Sequence, residues 1–453
     1  MERLKRAVRC GVGPEAPGDE LESAQERRER WRSIYVIYFT MFQMSLGFSI
    51  VLTGVWPYLD KLVASPLLGW WANRARSVRA PLATTLLLFV LASALYANLH
   101  LARPHALVWL LAARALVGLS SANVAVARSY LSAATREAER TRAVAGCSLA
   151  QVLGFVVGPA LQAAAAPLGP GAPYDGTTTP RLDMYTAPGW TNALLGTLNL
   201  LLLLPCCFRE RPIAAREAMR AQGKQTEKEA IKAIKPDYVS SWMLVGAFFV
   251  LVFNFVLLET LATSLTMDQF GWSKTQALEY MGALMSAGAL IACAVFAMIT
   301  PLTKLFEERA LLLWGGFLLT GLASLLCIPW GPDGPPLAAA DALESEGGCP
   351  AAVQPWCLTS RRITLTQFFL GYTSVSIGYP LGVTLIQTIF SKVLGPRPQG
   401  VWMGVLTGAG CVSRALGPVF VASVYARRGP APTFVATATL TFAALGFKRS
   451  LQG

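Results

Sequence analysis

Long, nearly uncharged apolar runs constrain this chain more than any other feature. Residues 34–55, 81–101, 106–126 and 144–166 are each long enough to cross ~30 Å of hydrocarbon at ~1.5 Å per residue. Further runs cover 187–207, 241–265, 277–299, 310–328, 363–389, 401–424 and, rather shorter, 432–447. A helix satisfies its own backbone polar groups, which lipid cannot do. The chain therefore reads as an all-α polytopic membrane protein whose work is to carry or conduct something across a bilayer. A composition of 54% hydrophobic and 14% charged residues excludes a disordered or ordinary cytosolic protein.

The net charge of +13 does not point to nucleic acid, because most Lys and Arg fall in tails and interhelical loops. Basic loops on the cytoplasmic side are the usual topology signal of membrane proteins. One segment, 59–71, is apolar over only about half a span. Counted as a crossing, it puts most basic residues on the side of the N-terminal tail; left out, it inverts every later loop and scatters them. The charge distribution thus predicts twelve spans with a shortened second helix and both termini cytoplasmic. It divides the chain into a tail (1–33), an N-terminal half (34–207), a cytoplasmic linker (208–240), a C-terminal half (241–447) and a short tail (448–453). The tail 1–33 has no apolar core of a cleavable signal, so the first span is expected to act as an uncleaved anchor. The linker reads as a surface helix with a break.

Cys349 and Cys357 share one loop and are candidates for a disulfide if that loop faces an oxidising lumen. Cys10 lies in the polar tail; the other cysteines lie in or beside apolar runs, where Cys is usually a small buried hydrophobe. No metal-ligand spacing, nucleophile–base pair or phosphate loop is present, so neither a metal, a cofactor nor an enzyme activity is expected. No Asn-x-Ser/Thr acceptor occurs.

A small residue followed by Pro recurs as Ser65-Pro66, Gly158-Pro159, Thr300-Pro301 and Gly417-Pro418, in spans two, five, eight and eleven. These spans hold the same place in four successive three-helix units. Two six-helix halves of inverted three-helix repeats is the plan of the major facilitator superfamily, which the chain resembles. Gly69, Asn73 and Arg74 in GWWANRARSVR are similar to its basic loop after the second helix, with Asn73 where the superfamily usually has Asp. Arg114 to Gly118 resembles its fourth-helix motif, and Gly154, Gly158 and Pro159 its fifth-helix motif. Segments 31–42, 55–59, 123–130, 259–272, 349–358, 392–404 and 415–430 resemble a lysosomal branch of that superfamily linked to chloride conduction. The resemblance implies a multi-pass protein of the lysosomal or endosomal membrane. It departs from that branch in three respects: most of the second helix, an acidic dileucine signal in the tail, and luminal glycosylation sites are missing. The first bears on transport competence, the others on delivery and glycosylation.

Ionisable groups inside spans are costly and so mark candidate sites. Glu259, in an apolar stretch of span seven, suits a proton-coupled step or a structural hydrogen bond to another helix. Asp268, near the end of the same span, reads as an exposed helix terminus. Arg114 either attracts an anion or braces the bundle. Arg128, nearer the cytoplasmic end, snorkels or pairs with the basic loop. Arg414 either faces a cavity or locks the halves together. Tyr372, Tyr379, Gln387, Gln43 and Asn254 either line a path or make interhelical hydrogen bonds. Converging arginines would favour a small anion in a central cavity between the halves. A transporter or anion-conducting protein is the leading function. A non-transporting membrane partner, or an inactive truncated variant, is the alternative.

Overall fold

The computed structural model describes residues 21–50, 56–101, 105–169, 182–234, 236–338 and 347–446. The tail residues before 21, with Cys10, those after 446, and the end of the first predicted span at 51–55 lie outside them. In chain order the helices are α1 (Ala24–Ile50), α2 (Trp56–Ala75), α3 (Arg79–Ala97), α4 (Ala106–Ala133), α5 (Glu137–Ala165), α6 (Ala187–Leu202), α7 (Ala214–Ala221) and α8 (Glu227–Ala233). There follow α9 (Tyr238–Phe270), α10 (Lys274–Leu305), α11 (Glu308–Leu326), α12 (Leu365–Leu394), α13 (Gly400–Arg428) and α14 (Pro430–Leu445). Among the described residues, 8 helices are long and apolar enough to cross a membrane: α3, α4, α5 and α9 to α13. An isolated bridge between Leu337 and Cys349 lies outside the helices.

The second apolar segment does not stop where its hydropathy does. α2 runs 20 residues, beyond both ends of 59–71, because polar residues such as Asn73 and Arg74 still satisfy helical hydrogen bonding. Pro66, Pro159, Pro301 and Pro418 all lie inside helices, α2, α5, α10 and α13. Neighbouring helices tolerate these breaks in a bilayer. The linker's two short helices flank Gly223, whose φ of 62° ends α7 in the left-handed region.

Contacts group the chain into two compact units, Met1–Asp237 with Phe390–Cys411, and Tyr238–Ile389 with Val412–Gly453. The first is built on glycine contacts. A Cβ at Gly154 would lie 2.2 Å from the Phe42 carbonyl oxygen, and one at Gly158 2.7 Å from Ser49 Oγ, so α5 lies directly on α1. Gly69 and Gly400 face each other, a Cβ on Gly69 falling 2.1 Å from the Gly400 oxygen; Gly404 meets Pro66 the same way at 2.6 Å. Asn73 Oδ1 accepts from the Gly400 amide at 2.9 Å, satisfying an orphan donor at the start of α13, and its amide donates to the Pro398 carbonyl at 3.4 Å.

Ion pairs hold the same unit where the N-terminal end of α1 meets the linker. Arg30, fully buried, forms a fork on Glu22 (2.9 and 2.6 Å) and donates to Glu139 and the Ala134 carbonyl, each at 2.9 Å. Glu210 caps the N-terminus of α3, accepting from the amides of Val78 and Arg79 at 3.2 and 3.0 Å. Arg211 pairs with Glu26 and Glu29 at 2.7 and 2.6 Å. In the second unit Asn254 of α9 braces two helices: its amide donates to Thr441 of α14 and its oxygen accepts from Ser324 of α11 at 3.0 Å.

Gly69→Ala is expected to lower unfolding stability by about 1–3 kcal/mol through overpacking, whereas Gly282→Ala, with nothing within 4 Å, should not; thermal unfolding of the purified variants reads the contrast. The residues that precede the first span give a pH dependence. The Arg211 hydrogen bond holds Glu29 below its ordinary 4.5, and a backbone hydrogen bond from Ser23 does the same for Glu26. Lowered carboxylates stabilise the docked segment above pH 4.5, and that contribution disappears as pH falls through their folded values. Protection factors for amide hydrogen exchange at 24–33, corrected for the intrinsic pH dependence of exchange, should therefore hold from neutral pH to about 4.5 and fall only below it.

Candidate functional site

The charged groups inside the spans are divided between the two compact units. Within the second unit, α9 and α13 bring Glu259 and Arg414 together, with guanidinium and carboxylate 3.5 Å apart and side chains 26% and 35% exposed for Arg414 and Glu259. The local sequence explains the approach. Gly417 lacks the side chain that would press on Val256, 2.8 Å from its would-be Cβ. Ser413 Oγ donates to the Phe249 carbonyl at 2.9 Å. Pro418 has no amide hydrogen for the Arg414 carbonyl four residues back, and the helix relaxes into a π-helical stretch at Val421–Tyr425. Tyr372 of α12 lies within electrostatic reach of Glu259 and packs against Gly288 of α10. Tyr379, one helical region further on, is stacked on Phe255 with centroids 4.1 Å apart.

Arg128 and Arg114 belong to the first unit. Arg128 reaches Thr407 Oγ1 at 3.4 Å and Gln151 Oε1 at 3.5 Å. Arg114 lies over the Tyr96 ring, 5.1 Å from its centroid, a cation–π contact. Gln43 accepts from Asn199 Nδ2 at 2.6 Å, and Gln387 is buried.

Asp268 corrects the reading of an exposed helix end. It is buried, and its carboxylate accepts from the Tyr425 hydroxyl at 2.8 Å. Tyr425 in turn packs edge-on against Trp356, centroids 5.4 Å apart. Trp356 belongs to the short turn Pro355–Leu358 in the loop where Cys349 and Cys357 are disulfide-bonded, with Cα atoms 5.9 Å apart. Gly429, at φ 80°, leaves room for the Trp356 ring. This loop covers the end of α9, and Gln269 accepts from the Ile363 amide at 2.9 Å. Tyr425 and the four-residue spacing of Gly400, Gly404 and Gly408 were missed in the sequence; the glycine spacing was the signal that could have shown the second. Among the described residues no group of three His, Cys, Asp or Glu side chains could hold a metal.

Tyr425→Phe removes the hydroxyl from a buried carboxylate and should cost about 1–3 kcal/mol; Tyr35→Phe, at an exposed ring, should leave the unfolding midpoint in place.

Comparison with known proteins agrees with this architecture. Residues 29–343 match the Major Facilitator Superfamily. A Xenopus laevis protein, major facilitator superfamily domain-containing protein 8, is 36% identical over 464 residues, spanning 92% of this chain and 90% of its own length. The crystal structure of the human organic anion transporter MFSD10 superposes with a TM-score of 0.66 at 17% identity, covering 92% of this chain and 98% of that one. The proton:xylose symporter XylE superposes with a TM-score of 0.65 at 10% identity, covering 94% and 96%. At these identities the two structures speak for the fold. The chain is a transport protein rather than an enzyme, built to move a small solute or ion across a bilayer, and it belongs to the Major Facilitator Superfamily.

Proposed function

We propose that this transporter moves a small anion, chloride foremost, across an endolysosomal membrane, with Arg414 as the anion-binding group and Glu259 as its proton-sensitive counterion. The observation that carries the reading is the Glu259–Arg414 pair at 3.5 Å. A lone charge in a span is expensive, so the two groups are kept together. The pair is nevertheless looser than the buried Arg30–Glu22 fork, which closes to 2.6 Å, and both side chains are partly open. A loose, partly open pair can exchange partners. Protonating Glu259 removes the negative charge facing Arg414, and an entering anion then restores it. An acidic compartment supplies the proton on one side. Tyr372 lies within electrostatic reach of Glu259.

The proposed topology is the twelve-span, two-halved plan, with residues 1–33, 208–240 and 448–453 cytoplasmic and the Cys349–Cys357 loop luminal. The disulfide fits an oxidising lumen, and the ion pairs between α1 and the linker fit a shared cytoplasmic face. The endolysosomal assignment rests on the matching segments of the sequence.

Anion flux into proteoliposomes tests the reading. Wild-type flux should rise as the Glu259-facing side is acidified. Glu259→Gln should transport without that pH dependence. Arg414→Ala, losing an ionic contact of about 1.5–3 kcal/mol, should fall on the order of ten- to a hundredfold. Unaltered flux in folded Arg414→Ala protein would rule the assignment out.

A further inference from the structure

Cys206 and Cys207 stand apart from the other free cysteines. Among the described residues Cys147, Cys327 and Cys411 are buried, Cys293 is half-buried within α10, and only Cys206 is exposed, with Cys207 partly so beside it. Their sulfurs lie 3.7 Å apart. The pair sits in the turn just after α6. Along α6, Leu194, Leu198 and Leu201 are exposed at helical spacing, and exposed Leu204 follows immediately beyond its end. In a bilayer this is a lipid-facing apolar stripe that runs up to the thiols. Beyond the thiols charge begins at once: Arg209 pairs with Glu29 at 2.9 Å, and Arg32 donates to the Cys206 carbonyl at 2.8 Å. Leu203 and Phe208 are buried on either side, Phe208 against Tyr130 with centroids 5.2 Å apart. The turn is thereby pinned, and its two cysteines are turned outward at the boundary between hydrocarbon and water.

We propose that Cys206 and Cys207 are an S-acylation site for a long-chain fatty acid on the cytoplasmic leaflet. The cysteine sulfur attacks the carbonyl carbon of a long-chain acyl-CoA presented by a membrane-bound acyltransferase. A thioester forms, the acyl–CoA bond breaks, and the proton released by the cysteine passes by way of solvent to the departing CoA thiolate, which leaves as its thiol; nothing is oxidised or reduced. The new chain enters the leaflet beside the leucine stripe and anchors the point where the linker leaves the membrane. The site rests on the cytoplasmic placement of 208–240 proposed above.

The test uses the full chain expressed in cultured cells. After free thiols are blocked, hydroxylamine cleaves thioesters and a polyethylene glycol maleimide marks each released thiol by a mass step. Hydroxylamine-dependent steps are expected in the wild type, in Cys10→Ser and in Cys147→Ser, and their loss is expected in Cys206→Ser/Cys207→Ser at matched expression. Absence of any step in the wild type, while an S-acylated protein of the same lysate shifts, would overturn the proposal, as would steps that persist in the double variant or vanish in Cys10→Ser. A membrane-impermeant maleimide added to permeabilised cells with intact organelles checks the side. Cys206 labelled there without any acyl step defeats the acylation alone; labelling only after organelle lysis defeats the topology as well.

Discussion

Hydrocarbon gives a charge no partner and a backbone amide no acceptor, and the architecture follows from that refusal. Backbone groups are satisfied inside helices. Side-chain charges are satisfied in pairs, by a ring, or by polar groups on the next helix. Glu259 finds Arg414, Arg114 finds the face of Tyr96, and Arg128 reaches Thr407 and Gln151. The pair at Glu259 joins two opposite full charges that remain partly open, and it is there that we propose an outside ion competes.

Several helices come into direct contact where side chains are absent. Gly154 and Gly158 set α5 on α1, Gly69 with Gly400 and Gly404 sets α13 on α2, and Gly417 admits Val256 beside the ion pair. Asn73 belongs to the same design. A neutral amide there both caps the Gly400 amide and donates to the Pro398 carbonyl, two bonds of opposite sense that a carboxylate could not make together.

Much of this was legible in the sequence because it is local. Apolar length marked the helices, and the small-residue–proline pairs marked four helices that do contain an internal proline. The extent of α2 was not legible from hydropathy, since its C-terminal end, with Asn73 and Arg74, is polar yet helical. Asp268 was misjudged because its partner, Tyr425, is 157 residues away in the chain. Nothing around Asp268 announces that a loop and an aromatic pair will bury it. For the same reason the capping of α3 by Glu210 stayed hidden until the linker was seen. The intramembrane charges were found by type alone, but which of them meet was decided by helix packing.

The claim that Arg414 holds an anion once Glu259 is protonated can be measured on purified protein without any flux. A ligand that binds the folded state raises its unfolding temperature with concentration. At fixed ionic strength, replacing gluconate with chloride should stabilise the wild type more at acidic than at neutral pH, and should do nothing for Arg414→Gln. An equal chloride response in Arg414→Gln, or none in the wild type at either pH, would contradict the account.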